Sequence, residues 1–261
     1  MESMTKGICR LAMVPVRAEA SDKSEMVSQL LFGEHYAVVE NNAKWLKISI
    51  AYDGYEGWID TRQHTNISDE YYNHLNSTEF KIATDLLSTI LYKKERIPIL
   101  IGSILPISSH ELFEVNEQFA FDGSSKNLGS KKDFSYLMEA AESYMNAPYL
   151  WGGRTPFGID CSGLVQQLYR LCGYSLPRDA RMQYFQGEKV TSVEASKAGD
   201  LAFFQNDSGD VIHVGIIWEK GQILHASGRV KTNKLDENGI YNDEVSGYSH
   251  NIAGIRRIFR P

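Results

Sequence analysis

At residues 122–133, DGSSKNLGSKKD, the chain changes its periodicity. The stretch is polar and turn-rich, and the segments on its two sides follow different patterns. Before it, residues 7–65 read as short strands: GICRLAMVPVR, SEMVSQLLFGEHYAVVEN, WLKISIAYD and EGWID, broken by NNAK and YDGYEG. Alternation, β-branched residues and close turn signals predict a small β-barrel there. Within residues 66–127, SDEYYNHLN predicts a helical connector capped by Ser68. FKIATDLLSTILY, IPILIGSILPI and FAFDGSS then predict strands broken by Gly and Pro, a second and degenerate barrel. After the boundary, helices come first. DFSYLMEAAESYMNAPY (133–149) has helical spacing with Asp133 as N-cap, and CSGLVQQLYRLCG (161–173) ends at Gly173. A short helix, DARMQYFQG, precedes strands at GDLAFFQ, VIHVGIIW, QILHAS and IAGIRRIFR. This order predicts an α+β domain with helices packed on an antiparallel sheet. The expected domains are residues 1–65, 66–127 and 128–261.

Composition excludes several classes of function. A net charge of −6 lacks the basic footprint of a nucleic-acid binder, and KKER (93–96) is too short to supply one. An apolar content of 43% is enough for a core. No apolar run reaches the roughly 18–20 residues that span a membrane. In MESMTKGICRLAMVPVRAEA, Arg10 interrupts the apolar run, which is too short for a signal peptide. The protein is therefore expected in the cytoplasm, or in the periplasm if a leader has been removed. The oligomeric state stays open.

Three cysteines, Cys9, Cys161 and Cys172, do not make a disulfide framework. With a helix between them, Cys161 and Cys172 lie roughly 16 Å apart along its axis, too far to bridge. No Cys-x-x-Cys or His-x-x-x-His spacing points to a metal.

The chemistry concentrates in GIDCSGLV (158–165), VIHVGIIW and QILHAS. A cysteine before a helix is commonly a buried filler. It is also where the helix dipole and free N–H groups lower a thiol pKa and offer an oxyanion donor. The strands VIHVGIIW and QILHAS form a hairpin through EKG, which puts His213 and His225 opposite or diagonal to each other. His213 then serves as a base and His225 orients it. His35, His64, His74, His110 and His250 have no comparable context and are assigned no chemistry.

Six motifs occur in order: APYLWGG, GIDCSGLV, LPRDARMQ, KAGDLAFF, HVGI and LHAS. Over residues 133–260 the chain thereby resembles the NlpC family of papain-related cysteine peptidases, which cleave bacterial cell-wall peptides. The strand order ending in GYEGWI resembles bacterial SH3-like domains. Together the two resemble the YkfC-like γ-D-glutamyl-L-diamino-acid endopeptidases, also called dipeptidyl-peptidase VI. The resemblance implies Cys161 as nucleophile, His213 as base, His225 as third polar residue and Tyr149 beside the oxyanion. Trp151, Asp160 and Ser162 match positions lining the substrate pocket. It further implies that a barrel tyrosine, Tyr55 in DGYEGW, and a glutamate, for which SEMVSQLLFGE offers Glu25, hold the free amine of an N-terminal L-alanine. In LPRDARMQ, Ala180 and Arg181 replace a frequent serine pair, and Arg181 is either a substitute donor or solvated.

The resemblance thus implies a metal- and cofactor-free hydrolase of small peptides beginning L-Ala-γ-D-Glu-L-diamino acid, acting in cell-wall peptide recycling. The alternatives are an amidase or D,L-endopeptidase on intact wall and an inactive wall-binding module.

Overall fold

The computed structural model describes residues 5–105, 119–243 and 246–259. Outside them lie the first four residues, the last two of IPILIGSILPI, His110, and the last of IAGIRRIFR. The chain divides into two compact units, Met1–Lys131 and Lys132–Pro261.

In the first unit, strands Met26–Leu31, Met13–Arg17, Glu56–Asp60, Trp45–Ile50, His35–Asn42, Lys6–Ile8 and Thr65–Ile67 form one antiparallel sheet in that order. Period-two alternation buries Val14 and Val16 on one strand and Leu46, Ile48 and Ile50 on another. They pack with Cys9, Leu30, Tyr36, Val38 and Ile59. Cys9 is thus core filling, and burial pushes its thiol pKa up to about 12. Helix α1 (Asp69–Ser77) follows, and the Ser68 hydroxyl accepts the Tyr71 N–H as its cap. FKIATDLLSTILY splits into two strands, Lys81–Ala83 and Leu87–Tyr92. Lys81–Ala83 lies between Ile104–Leu105 and Ser125–Asn127, and Leu87–Tyr92 between Glu95–Leu100 and Phe119–Asp122.

The expected boundary between residues 65 and 66 falls inside this unit, within the strand Thr65–Ile67. The two parts share side chains. Phe32, from the turn after Met26–Leu31, packs with Ala83, Ile90, Ile99 and Leu105. Its carbonyl accepts the Ile104 N–H at 2.8 Å. The next residue, Gly33, has φ +80°, and a Cβ there would stand 1.9 Å from the Ile104 carbonyl oxygen, so only glycine fits. The buried guanidinium of Arg10 lies 5.0–5.5 Å from the ring centres of Phe32, Tyr92 and Phe119.

The second unit has helices on an antiparallel sheet, as expected, but the sheet closes on itself. Its antiparallel sheet runs Glu188–Val190, Gly247–Arg257, Leu201–Gln205, Val211–Glu219, Gln222–Ser227, Arg229–Asp236, Gly239–Asn242. The 11-residue strand Gly247–Arg257 also pairs with Gly239–Asn242, which closes six strands into a barrel. Register shifts at Phe203/Phe204 and Ile240/Tyr241 let that strand bend from one neighbour to the other. Phe204, Ala202, Ile217, Ile223, Leu235, Ile240 and Ile255 form its core.

The helices are shorter than expected. Helix α2 covers Phe134–Glu142, with the Asp133 carboxylate accepting the Ser135 and Tyr136 N–H groups. The chain leaves it through Asn146 at φ +64° and Pro148. Helix α3 runs Cys161–Leu171 and packs against Val211–Glu219 and Gln222–Ser227. Every residue of α3 is buried, because loops cover its polar side. Gln166 donates to the Leu176 carbonyl and Gln167 to that of Arg154, each at 3.1 Å. Helix α4 is one turn, Ala180–Gln183.

Candidate active site

Cys161 is the first residue of α3, and the turn that presents it is over-determined. Asp160 is the N-cap, and its Oδ1 accepts the Gly163 N–H at 2.7 Å. Its Oδ2 accepts the Gly152 N–H at 2.8 Å. A Cβ on Gly163 would stand 2.4 Å from the Gly153 carbonyl oxygen, so the helix start and the Gly152–Gly153 turn meet backbone to backbone.

The other clamp is Arg178, of LPRDARMQ. Its guanidinium is fully buried and donates to both Asp160 oxygens, at 3.0 and 2.5 Å, and to the Ser162 hydroxyl at 2.9 Å. Gln183 donates through Nε2 to the carbonyls of Ser162 and Pro177, at 3.0 and 2.9 Å. The motif therefore braces the cysteine turn through Arg178 and Gln183, neither of which the sequence reading assigned. Arg181, which it did assign, is two-thirds exposed and lies 3.7 Å from Asp210 in a surface ion pair. With two N–H groups and a guanidinium on it, the Asp160 carboxylate has its lone-pair directions occupied. A substrate ammonium at Asp160 would have to displace one of these donors.

The sulfur of Cys161 faces the strand Val211–Glu219, which carries His213. The backbone N–H groups of Val214 and Ser162 point at it and favour its charged form. Burial outweighs them, with only 6% of the residue exposed, and the Asp160 carboxylate acts in the same direction. The thiol is pushed up to about 12. This corrects the expectation of a lowered pKa: the helix terminus is present, but desolvation and a neighbouring anion dominate. Tyr149 is half-buried nearby. Burial first, then the charges of Cys161 and Asp160, raise its hydroxyl to about 12, so it stays a donor.

His213 and His225 meet through their ring nitrogens, with His213 Nε2 2.9 Å from His225 Nδ1. The hairpin register pairs Ile216 with Leu224 and Ile217 with Ile223, and shifts before Glu219. His225 is therefore opposite Gly215, and the two histidines are diagonal rather than directly opposed. His225 Nε2 lies 2.9 Å from Asn233 Oδ1. Burial, then the neighbouring imidazoles of His250 and His225, hold His213 well below the usual histidine range. Burial holds His225 at about 4, against the opposing hydrogen bond to Asn233. The resting site therefore contains a neutral thiol and neutral imidazoles.

His250 belongs to this cluster, contrary to the sequence reading. Its ring stacks on His213 with centroids 4.2 Å apart, and Phe204 touches both. Its position depends on the bend of Gly247–Arg257 that closes the barrel, which no local pattern announces. Asn233 was likewise missed.

Three further residues were expected as substrate contacts: Trp151, Tyr55 and Glu25. Trp151 is 56% exposed, next to the Gly152–Gly153 turn. Tyr55 and Glu25 belong to the first unit. Tyr55 packs partly on that barrel's core, its N–H donating to Asp53, and the exposed Glu25 accepts the Ala18 N–H through its carbonyl. Among the described residues, no group of three or more His, Cys, Asp or Glu could hold a metal ion, and no helix is long and apolar enough to cross a membrane.

Residues 146–248 match the NlpC/P60 family, and residues 16–63 match the bacterial dipeptidyl-peptidase SH3 domain. The chain is similar to the gamma-D-glutamyl-L-lysine dipeptidyl-peptidase of Bacillus subtilis strain 168, with 27% identity covering 89% of this chain and 81% of that one. It is also similar to dipeptidyl-peptidase 6 of Lysinibacillus sphaericus, 28% identical over 86% of this chain and 90% of that one. Among solved structures, an NlpC/P60 family protein from Bacillus cereus ATCC 10987 has a TM-score of 0.80, covering 97% of this chain and 99% of that chain. At 18% identity that likeness concerns the fold alone.

Proposed function

From the premise that residues 146–248 belong to the NlpC/P60 family and residues 16–63 are a bacterial dipeptidyl-peptidase SH3 domain, we propose that this protein is a cysteine peptidase of cell-wall peptides. Its bond is that between γ-D-glutamate and the L-diamino acid, in released peptides whose N-terminal L-alanine is free. The observation that carries the reading is the placement of a buried thiol, at a braced helix start, against the strand that bears His213, whose ring is hydrogen-bonded to His225 on the next strand. The names of the relatives supply the substrate class.

In this reading Cys161 Sγ attacks the γ-carbonyl carbon of D-glutamate, and the thiol proton passes to His213. Because thiol and imidazole start neutral, charge separation occurs only with substrate in place. The Cys161 N–H, at the first helical position and without an intrahelical acceptor, and the Tyr149 hydroxyl donate to the oxyanion. His213 returns its proton to the leaving amine of the diamino acid, leaving a thioester on Cys161. It then takes a proton from the water that hydrolyses the thioester, releasing L-Ala-D-Glu. Selectivity for a free N-terminal amine is what the resemblance implies for Tyr55 and Glu25.

The test is mass spectrometry of L-Ala-γ-D-Glu-L-Lys, and of its diaminopimelate analogue, after incubation with the protein. Release of L-Ala-D-Glu is expected, with none from Cys161→Ala. A wild-type protein that leaves both peptides intact, or an active Cys161→Ala variant, overturns the proposal. The N-acetylated peptides should resist, and equal cleavage of them refutes the free-amine requirement.

A further inference from the structure

Asn233 stands on the strand Arg229–Asp236, opposite Ile223, and its side-chain amide reaches two groups. Its Nδ2 donates to the Tyr241 carbonyl at 3.4 Å, and its Oδ1 lies 2.9 Å from His225 Nε2. The orientation follows from Tyr241. A flipped amide would set Oδ1 against the Tyr241 carbonyl oxygen, two acceptors facing each other with no proton between them.

An amide oxygen only accepts, so His225 Nε2 carries a hydrogen. A neutral imidazole has one N–H, so His225 Nδ1 presents a lone pair. That lone pair is 2.9 Å from His213 Nε2, which must therefore be the donor. His213 Nδ1 is then its free lone pair. We infer that Asn233 is a positioning residue that fixes the tautomers of both histidines, making Nδ1 of His213 the base for the Cys161 thiol. The inference rests on the proposed function for the word base, and on hydrogen bonding alone for the tautomers.

The same chain limits how far a proton travels. When Nδ1 of His213 accepts the thiol proton, Nε2–H remains donated to His225. That second proton can shift no further than His225 Nδ1, which would make His225 the imidazolium, because the amide oxygen of Asn233 does not take the His225 Nε2–H in turn. The positive charge is therefore confined to the two histidines. The titratable groups around the chain are His250, stacked on His213 with its Nδ1 2.8 Å from the Ser249 hydroxyl, and Lys231, paired with His225 across the strands. Neither replaces the Asn233 acceptor.

The experiment is 15N NMR of the full chain labelled at its seven histidines, with His213→Gln and His225→Gln variants assigning the resonances, together with steady-state kinetics on L-Ala-γ-D-Glu-L-Lys. The wild type should show both His213 and His225 protonated at Nε2 and bare at Nδ1. Asn233→Leu, of similar size but without an acceptor, should give mixed tautomers at both rings. Its kcat should fall roughly tenfold to a hundredfold with KM held. Asn233→Asp, which keeps the acceptor, should keep the Nε2–H pattern at His225. A wild-type His213 carrying its hydrogen on Nδ1, or an Asn233→Leu protein with unchanged tautomers, overturns the inference. The NMR arm decides it even if the peptide is not a substrate, an outcome that would count against the proposed function alone.

Discussion

His250 lies flat against His213, ring centroids 4.2 Å apart and planes 28° apart. Among neighbouring charges, a protonated His250 is the largest influence lowering the pKa of His213. Burial lowers the pKa of His250 itself. His250→Phe keeps an aromatic face on His213 and removes the charge. The pKa of His213 should rise, and the acid limb of the kcat/KM profile should move to higher pH. An acid limb, followed down to the lowest pH at which the protein stays folded, that superposes on the wild type would refute this coupling.

The buried neutral histidines make the second unit acid-sensitive. The unfolded chain binds protons at His225 near its ordinary pKa of about 6.5, whereas the folded chain resists until about 4. More protons are bound by the unfolded state across that window, so stability is full above about 6.5 and falls as pH drops toward 4. His225 alone accounts for on the order of 3 kcal/mol of that loss, and His213 adds to it in the same direction. Urea midpoints between pH 7 and 4.5 should fall more steeply for the wild type than for His225→Gln. Equal slopes would show that other groups govern the acid limb.

Arg178 and Asp160 form a buried ion pair with two parallel hydrogen bonds. Arg178→Ala leaves a carboxylate out of water without its cation, and the expected cost is about 3–5 kcal/mol. Arg178→Lys retains charge but not the planar fork, and should fall between the two. Chemical denaturation reads the ranking directly. Because the Arg178 side chain also holds Ser162, both variants should lose peptidase activity at temperatures where they remain folded.

The nucleophile turn was the most legible part of the sequence, because its signals are local. An aspartate cap, a small residue at each contact and an apolar run follow one another within GIDCSGLV, and the structure realises them as the α3 cap and the Gly153–Gly163 contact. Ser68 and Asp133 were legible for the same reason. The hairpin was legible as a pair of strands but not in register, since the shift between Ile217 and Glu219 moves His225 opposite Gly215. Arg178 and Arg181 stand three residues apart in one motif, and only the tertiary position of Asp160 decides which is buried. The Cys161 pKa was misread because a helix terminus is visible in sequence while the depth of burial is not. His250 and Asn233 depend on the closure of the barrel, a long-range event.

Phe32 comes from the turn after Met26–Leu31 and is completely buried, packed with residues that follow position 80. This ties the first sheet to the strands that follow it, so that the two parts of residues 1–131 belong together. A chimera cut at residue 67 would carry Phe32 without its receptor and expose a side chain whose burial contributes roughly 1.5–3 kcal/mol. It would also strand the Phe32 carbonyl that receives the Ile104 N–H. A chimera cut after Lys131 takes donor and acceptor together.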